Sequence, residues 1–222
     1  MQEIDVKAKN KKLAGIKSAI KQLEKMTKKE GIAYILGDKE IEKMETISTG
    51  SLMFDLALGV GGLPKGRIIE FFGPESSGKS LIATKAGGEC QKAGGVVAIV
   101  DMEHTFDPVF ASKLGLNCKE VILSQPDSLQ DAFKVIDALI DAGVDLIILD
   151  SVAALVPQEE LDGEIGKQTI GLVARYMSQF LRRITGKTAK MGSTVIFVNQ
   201  VRDAIGVMYG DPTTTPGGKL IA

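Results

Sequence analysis

Short apolar runs alternate with segments of helical periodicity along most of this chain. The runs at 96–101, 145–150 and 195–198 are almost continuously apolar, which predicts buried strands. Between the first two, Asp127 or Ser128 stands where it can cap an amphipathic helix. Strands and helices that alternate at this spacing predict a mainly parallel α/β sheet with flanking helices. In such a sheet ligands bind beyond the carboxyl ends of the strands.

The amino-terminal segment follows a different pattern. A helix of about residues 11–27 is rich in lysine and carries a single apolar stripe: Leu13, Ile16, Ile20 and Leu23. A short extended run, Ile32 to Leu36, follows it. A helix and a strand of this size cannot form a core, so they dock either on the main domain or on another subunit. We expect a helix–strand module over 1–37 and a core over 38–222.

One stretch predicts a nucleotide site. A short apolar strand at residues 68–72 leads into the pattern G-x-x-x-x-G-K-[ST], and a helix opens at its end. The two glycines let backbone N–H groups turn towards phosphates, the lysine supplies a charge for the outer phosphates, and the last hydroxyl suits Mg²⁺. The alternative is an ordinary turn with a solvated lysine. The stretch contains Gly73, Pro74, Glu75, Ser76, Ser77, Gly78, Lys79 and Ser80.

The helix that follows this loop contains two adjacent glycines. Gly87 and Gly88 stand in its interior, where each costs about 1 kcal/mol relative to alanine. We expect local strain or a bend at this point.

Three polar residues stand at the carboxyl ends of other predicted strands. Asp150 ends one apolar run and is a candidate Mg²⁺ ligand opposite Ser80. Glu103 follows another and is a candidate base that orients water towards a γ-phosphate. Gln200 follows a third, where its amide can contact that phosphate and report its presence. Alternatively, the acids are turn residues or surface carboxylates.

Two segments favour a phosphate-backbone partner. Residues 201–218 are rich in glycine, threonine and proline, and a loop of that length is often functional. A second glycine-containing segment begins at Gly163, just before a helix of about residues 169–190. Basic residues cluster near both segments, although an ordinary solvated helix face would also explain them. They are Arg175, Arg182, Arg183 and Arg202.

Composition narrows the remaining choices. The net charge of −1 gives no overall attraction to nucleic acid, so a DNA site must be a local patch. Two cysteines and one histidine favour neither a disulfide scaffold nor a histidine metal site, which suits a reducing compartment. No apolar run approaches 18 residues, so we expect no membrane span and a cytoplasmic location.

Several longer motifs together resemble the bacterial RecA recombinase family. They include GPESSGKS, MEHTFDP, LDSVAALVP, GEIG and VNQVR, and the resemblance extends from about residue 10 to 218. It implies a RecA-like P-loop NTPase core. It further implies an ATP-dependent recombinase, using Mg²⁺, that forms filaments on single-stranded DNA, pairs it with a homologous duplex and exchanges strands. A role in the response to DNA damage is also implied.

The resemblance assigns roles to individual positions. Lys79, Glu103 and Gln200 match the catalytic positions, and Asp107 and Phe110 match the adenine side, where the family usually carries tyrosine in place of the phenylalanine. Residues 163–170 match the first DNA loop and 202–218 the second. The amino-terminal module matches the part that packs on a neighbouring subunit. Positions that match DNA contacts are Arg175, Ser178, Arg182, Arg202, Ile205, Gly217 and Gly218.

The chain also departs from the family pattern. Ala204 stands where the family usually has a lysine, which predicts weaker phosphate binding, and Pro216 stiffens the second loop. The sequence given stops at Ala222, where the family continues into further strands and a carboxyl-terminal domain. An alternative function is therefore an ATP-binding module with little turnover, either a fragment or a short form. A generic motor or kinase using the same loop is a third possibility.

Overall fold

Two compact units make up the chain. They are Met1–Lys43 and Met44–Ala222. The computed structural model describes residues 6–38, 44–163, 171–203 and 213–214.

The first unit is dominated by one helix. Helix α1 spans Val6–Thr27, and a short 3-10 helix, Leu36–Asp38, follows after a turn. The predicted strand at Ile32–Leu36 is not formed within the described residues. A strand needs a ladder partner, and no strand in the described part of the chain pairs with this run.

The second unit alternates helices and strands as the apolar pattern predicts. Its helices are α2 (Leu52–Ala57), α3 (Lys79–Lys92), α4 (Pro108–Lys113), α5 (Leu129–Asp141), α6 (Gln158–Leu161) and α7 (Leu172–Met191). Its strands are β1 (Thr46–Ile47), β2 (Leu63–Pro64), β3 (Ile68–Gly73), β4 (Val97–Asp101), β5 (Val121–Ser124), β6 (Leu146–Asp150), β7 (Thr194–Gln200), β8 (Arg202–Asp203) and β9 (Thr213–Thr214). None of the helices in the described ranges is long and apolar enough to cross a bilayer.

A five-stranded sheet in the order β3-β7-β6-β4-β5 forms the centre, and every pair in it is parallel. The register places Gly73 beside Gln200 and Asp101 beside Asp150. The polar residues that follow these strands therefore meet at one edge of the sheet, as predicted for a parallel α/β protein. The expected α/β fold class is confirmed.

Both faces of the sheet are buried, which explains why the strands are apolar without alternation. On one face Leu149 and Phe197 pack in a cluster with residues of α5 and α7. On the other face Ile148 and Ile196 pack in a cluster that includes Ala83 of α3. Ser128 caps α5, because its hydroxyl accepts the N–H of Asp131.

The two adjacent glycines of α3 allow the helix to pack closely against the segment after α4. Helix α3 runs unbroken through Gly87 and Gly88, and both are buried. A Cβ at Gly87 would lie 3.0 Å from the Leu116 side chain, and one at Gly88 would lie 2.7 Å from the carbonyl oxygen of Gly115. The glycines therefore let α3 approach the segment after α4 backbone to backbone.

Gly88→Ala should destabilise the protein. The new methyl group meets backbone atoms, so we expect the free energy of unfolding to fall by about 1–3 kcal/mol, even though alanine favours helix by about 1 kcal/mol. Gly186→Ala in α7 is the control, because a Cβ there meets nothing within 4 Å and should stabilise the protein slightly. Urea unfolding of both variants measures the two effects. Equal shifts of the same sign would contradict this packing role.

Candidate functional site

The phosphate loop lies between the end of β3 and the start of α3. Gly73 is the last residue of β3, and Lys79 is the first residue of α3. Gly78 has φ 87° and Ser76 has φ 57°, so the chain turns through left-handed conformations. No side chain caps α3. The first N–H groups of α3 and the positive end of its dipole therefore face the loop, which is an arrangement that binds anions.

Lys79 is held over the loop by main-chain oxygens. Its Nζ donates to the carbonyl oxygens of Gly73 at 3.1 Å and Pro74 at 2.7 Å. A phosphate oxygen is a stronger acceptor for an ammonium than a neutral carbonyl, because that hydrogen bond is charge-assisted on both sides. The side chain is thus placed to exchange these partners for a phosphate.

Asp150 and Ser80 face each other as the sequence predicts. The Ser80 hydroxyl forms a side-chain hydrogen bond with Asp150. Burial raises the pKa of the Asp150 carboxyl, and the nearby Glu103 and Asp101 add to this effect, while Ser80 and Lys79 partly offset it. A hydroxyl and a carboxylate are hard oxygen ligands that fit Mg²⁺, which uses few protein ligands and keeps several waters. No cluster of three metal-ligating side chains occurs among the described residues.

Asp150→Asn should stabilise the metal-free, nucleotide-free protein at neutral pH. Because the folded-state pKa of Asp150 is raised, folding favours its protonated form, and the charged form costs stability as pH rises through that pKa. The amide removes this cost and still accepts a hydrogen bond from Ser80. We expect a higher unfolding temperature at pH 7 in EDTA, and a smaller gain near pH 4, where the wild-type carboxyl is partly protonated. A lower unfolding temperature at pH 7 would count against this expectation.

Glu103 is oriented towards the end of β6. The Ser151 hydroxyl donates to Glu103 Oε1 at 2.5 Å. The turn that carries Glu103 is fixed by Asp101, whose carboxylate accepts the N–H groups of Glu103 at 3.2 Å and Phe106 at 3.0 Å. Gln125 Nε2 also donates to Asp101 at 2.9 Å. Sequence reasoning missed Asp101 and Ser151, although Asp101 is the last residue of β4 and Ser151 directly follows the last residue of β6.

Asp107 and Phe110 flank the same cleft. Asp107 caps α4 by accepting the N–H groups of Val109 at 2.8 Å and Phe110 at 3.1 Å. The Phe110 ring is half exposed and offers a face for stacking. A single cleft brings together five residues that the sequence singled out: Ser80, Glu103, Asp107, Phe110 and Asp150.

Gln200 lies directly beside the start of the phosphate loop. It pairs with Gly73 in the β3–β7 ladder, and the next N–H, of Val201, donates to the Gly73 carbonyl at 3.2 Å. The Gln200 N–H donates to Asn199 Oδ1 at 2.9 Å, while Asn199 Nδ2 donates to Glu70 Oε1 at 2.8 Å. Burial raises the pKa of the Glu70 carboxyl, and the bond from Asn199 partly offsets this. The end of β7 is therefore tied to β3.

Two of the arginines expected to contact DNA lie on the outer face of α7. Arg175, Ser178 and Arg182 are exposed, whereas Met177 and Ile184 on the opposite face are buried. The exposed three recur at helical spacing and so form one stripe.

Other expected DNA contacts are only partly described. Arg202 begins β8 and pairs there with Thr214 of β9. Ile205, Gly217 and Gly218, with most of the first DNA loop, lie outside the described residues.

A family comparison decides the relationship. The profile of the RecA N-terminal domain matches residues 14–222. The chain belongs to the RecA N-terminal domain family. Its resemblance to RecA is thereby confirmed.

Curated relatives of this RecA-family domain are about half identical to it. Protein RecA of Chloroherpeton thalassium (strain ATCC 35110 / GB-78) is 52% identical over 221 residues, which is 99% of this chain and 62% of the relative. Protein RecA of Chlorobaculum tepidum (strain ATCC 49652 / DSM 12025 / NBRC 103806 / TLS) is 50% identical over 211 residues, which is 95% of this chain and 61% of the relative. The chain thus spans about three fifths of the length of these relatives.

A solved structure agrees with the RecA-like fold. The RadB recombinase is similar with a TM-score of 0.55 and 31% identity, covering 73% of this chain and 74% of that one. The α/β architecture with a parallel sheet is therefore that of a RecA-like recombinase core.

Proposed function

We propose that this RecA-family domain is the ATPase core of a DNA recombinase. In this proposal it binds single-stranded DNA as a filament, hydrolyses ATP, and pairs the strand with a homologous duplex for strand exchange. One observation carries the proposal: four side chains meet at one edge of the sheet, namely Lys79, Ser80, Glu103 and Asp150. Gln200 lies next to them, because it pairs with Gly73 between β7 and β3. The relatives named RecA and RadB recombinase support it.

Each residue has a proposed task in ATP hydrolysis. The loop amides and Lys79 hold the triphosphate, while Ser80 and Asp150 hold Mg²⁺, which neutralises phosphate charge when bound. Glu103, oriented by Ser151, accepts a hydrogen bond from the attacking water and aligns it. Asp107 and Phe110 flank the base, where the phenyl ring stacks without a hydroxyl. Gln200, the last residue of β7, contacts the outer phosphate and communicates its presence to the segment that directly follows.

The stripe Arg175, Ser178 and Arg182 on α7 is the proposed backbone contact for DNA. Two guanidinium groups and a hydroxyl on one exposed face can bind successive phosphates without reading base sequence. Arg202, Ile205, Gly217 and Gly218 remain proposed contacts from the second loop.

Self-association is supported by an open sheet edge. Within the part of the chain that the structure describes, the outermost strand β5 pairs on one side only, and it exposes Ile122 and Leu123, which are 42% and 45% accessible. An extended segment from a second copy can add to such an edge by main-chain hydrogen bonds. We assign this task to Ile32–Leu36, within a subunit-packing module over 1–37 that precedes the ATPase core over 38–222. Ile32 and Tyr34 are exposed and would supply apolar side chains for this contact.

The decisive experiment is ATP turnover with and without single-stranded DNA. We expect DNA to stimulate phosphate release, and added salt to reduce the stimulation, because salt competes for the phosphate contacts. Equal turnover in both conditions at every salt concentration would overturn the recombinase proposal.

We also propose a second candidate function. In it the chain is an ATP-binding module that hydrolyses little and modulates a filament. Tight ATP binding without turnover in any DNA context would support this candidate. Gel filtration with nucleotide would then tell whether the module self-associates.

A further inference from the structure

Glu159 is held by two helices at once. Its Oε1 accepts a hydrogen bond from the Tyr176 hydroxyl of α7, and its Oε2 accepts one from Gln130 Nε2 of α5 at 2.8 Å. Gln130 in turn accepts the N–H of Gln158 at 2.9 Å. Both carboxylate oxygens are thus engaged, and α6 is attached to its two neighbours through one side chain. The Tyr176 bond lowers the pKa of the Glu159 carboxyl, so it accepts as a carboxylate at neutral pH.

The main chain of Glu159 also fixes the exit from α6. A Cβ at Gly163 would lie 2.9 Å from the Glu159 carbonyl oxygen, so only glycine fits this close approach. Glu159 therefore lies close to Gly163, which precedes residues 164–170 in the sequence, and it accepts a hydrogen bond from the hydroxyl of Tyr176, which follows them.

The amino-terminal turn of α7 needs outside support. Its cap residue is Gly171, with φ 81°, and no side chain within the described ranges caps the helix there. The N–H of Arg175 closes this first turn on the Gly171 carbonyl at 3.0 Å. A helix end without a capping side chain frays easily. Tyr176, the next residue, is the point at which Glu159 holds this turn.

We propose that Glu159 and Tyr176 are a positioning pair that holds Arg175 in place to bind a phosphate of single-stranded DNA. This inference rests on the proposed DNA-binding function. Neither residue contacts the DNA itself. The pair acts by keeping the first turn of α7 formed and facing outward.

The direction in which Glu159→Ala changes DNA affinity distinguishes this positioning role from a purely electrostatic effect. Glu159 is a negative charge beside a proposed phosphate site, so electrostatics alone predicts that Glu159→Ala strengthens DNA binding. The positioning role predicts the opposite, because Arg175 loses its support.

The test measures binding of a labelled oligothymidylate by fluorescence anisotropy, with a non-hydrolysable ATP analogue present. We expect Tyr176→Phe and Glu159→Ala each to weaken binding about three- to tenfold. The slope of log affinity against log salt should fall by about 0.7 in Tyr176→Phe and in Arg175→Met, as for one lost phosphate contact on a single strand. The double variant Arg175→Met/Tyr176→Phe should bind no more weakly than Arg175→Met alone.

Asp141→Ala is the matched control. It removes a carboxylate that joins the same two helices, through Lys187 at 2.7 Å, farther along them. We expect it not to weaken DNA binding, and none of these variants should change ATP affinity. Glu159→Ala binding as tightly as the wild type, or an additive double variant, would overturn the positioning role. If the wild type itself shows no DNA binding, the DNA-binding function fails, and this inference fails with it.

Discussion

Lys79→Ala should weaken ATP binding by about 10- to 150-fold. The ammonium is placed to form charge-assisted hydrogen bonds with phosphate oxygens, each worth about 1.5–3 kcal/mol. In the free protein it donates to neutral oxygens, those of the Gly73 and Pro74 carbonyls and of the Ser77 hydroxyl. The variant therefore loses more in the complex than in the free state. Titration with a fluorescent ATP analogue measures the affinity.

The control for Lys79 is a lysine on the same helix. Lys92 ends α3 and pairs with Glu89 at 2.7 Å, far from the loop. Lys92→Ala should leave ATP affinity unchanged. If Lys79→Ala binds ATP as the wild type does, the assignment of the loop as a triphosphate site is wrong.

Glu103→Gln should lower DNA-stimulated ATP turnover by about 100- to 10,000-fold. A general base contributes on this scale, and an amide cannot take the proton. The glutamine keeps the shape of the side chain, and its carbonyl oxygen still accepts the Ser151 hydroxyl. ATP affinity should therefore stay within about threefold of wild type. Phosphate release and nucleotide titration separate the two quantities.

Glu120→Gln is the control for the effect of Glu103→Gln on ATP turnover, because it makes the same chemical change at another glutamate. Glu120 is exposed and ends a 3-10 helix before β5, so it should not affect hydrolysis. A Glu103→Gln variant that hydrolyses ATP at the wild-type rate would require another base for the reaction.

The fold was largely predictable, because apolar pattern and buried parallel strands are physically linked. The runs that form β4, β6 and β7 are almost continuously apolar because both faces of the sheet are covered. Gly88 shows where helix propensity misleads. Glycine disfavours a helix, which suggested strain or a bend, but a glycine is needed at this position because the backbone of Gly115 lies so close. A sequence alone does not reveal that contact. At Ile32–Leu36 the sequence predicted a strand that is not formed within the described residues, because a strand also needs a partner strand.

The site was predictable wherever residues follow strand ends. Parallel strands bring Ser80, Glu103 and Asp150 together without any knowledge of loops. What the sequence could not provide is the set of supporting contacts: Ser151 on Glu103, Asp101 under its turn, and Glu159 between two helices. These contacts join residues distant along the chain and depend on how the helices pack.

The carbonyl oxygen of Gly73 serves two donors at once, Lys79 Nζ at 3.1 Å and the Val201 N–H at 3.2 Å. If a triphosphate draws Lys79 Nζ away, the Gly73 oxygen keeps only the hydrogen bond from the Val201 N–H. That bond then strengthens, because the oxygen no longer shares its electron density between two donors. Nucleotide binding would thereby hold Val201, the first residue after β7, more firmly to β3. This needs no movement of any strand, because only the donors to one carbonyl oxygen change.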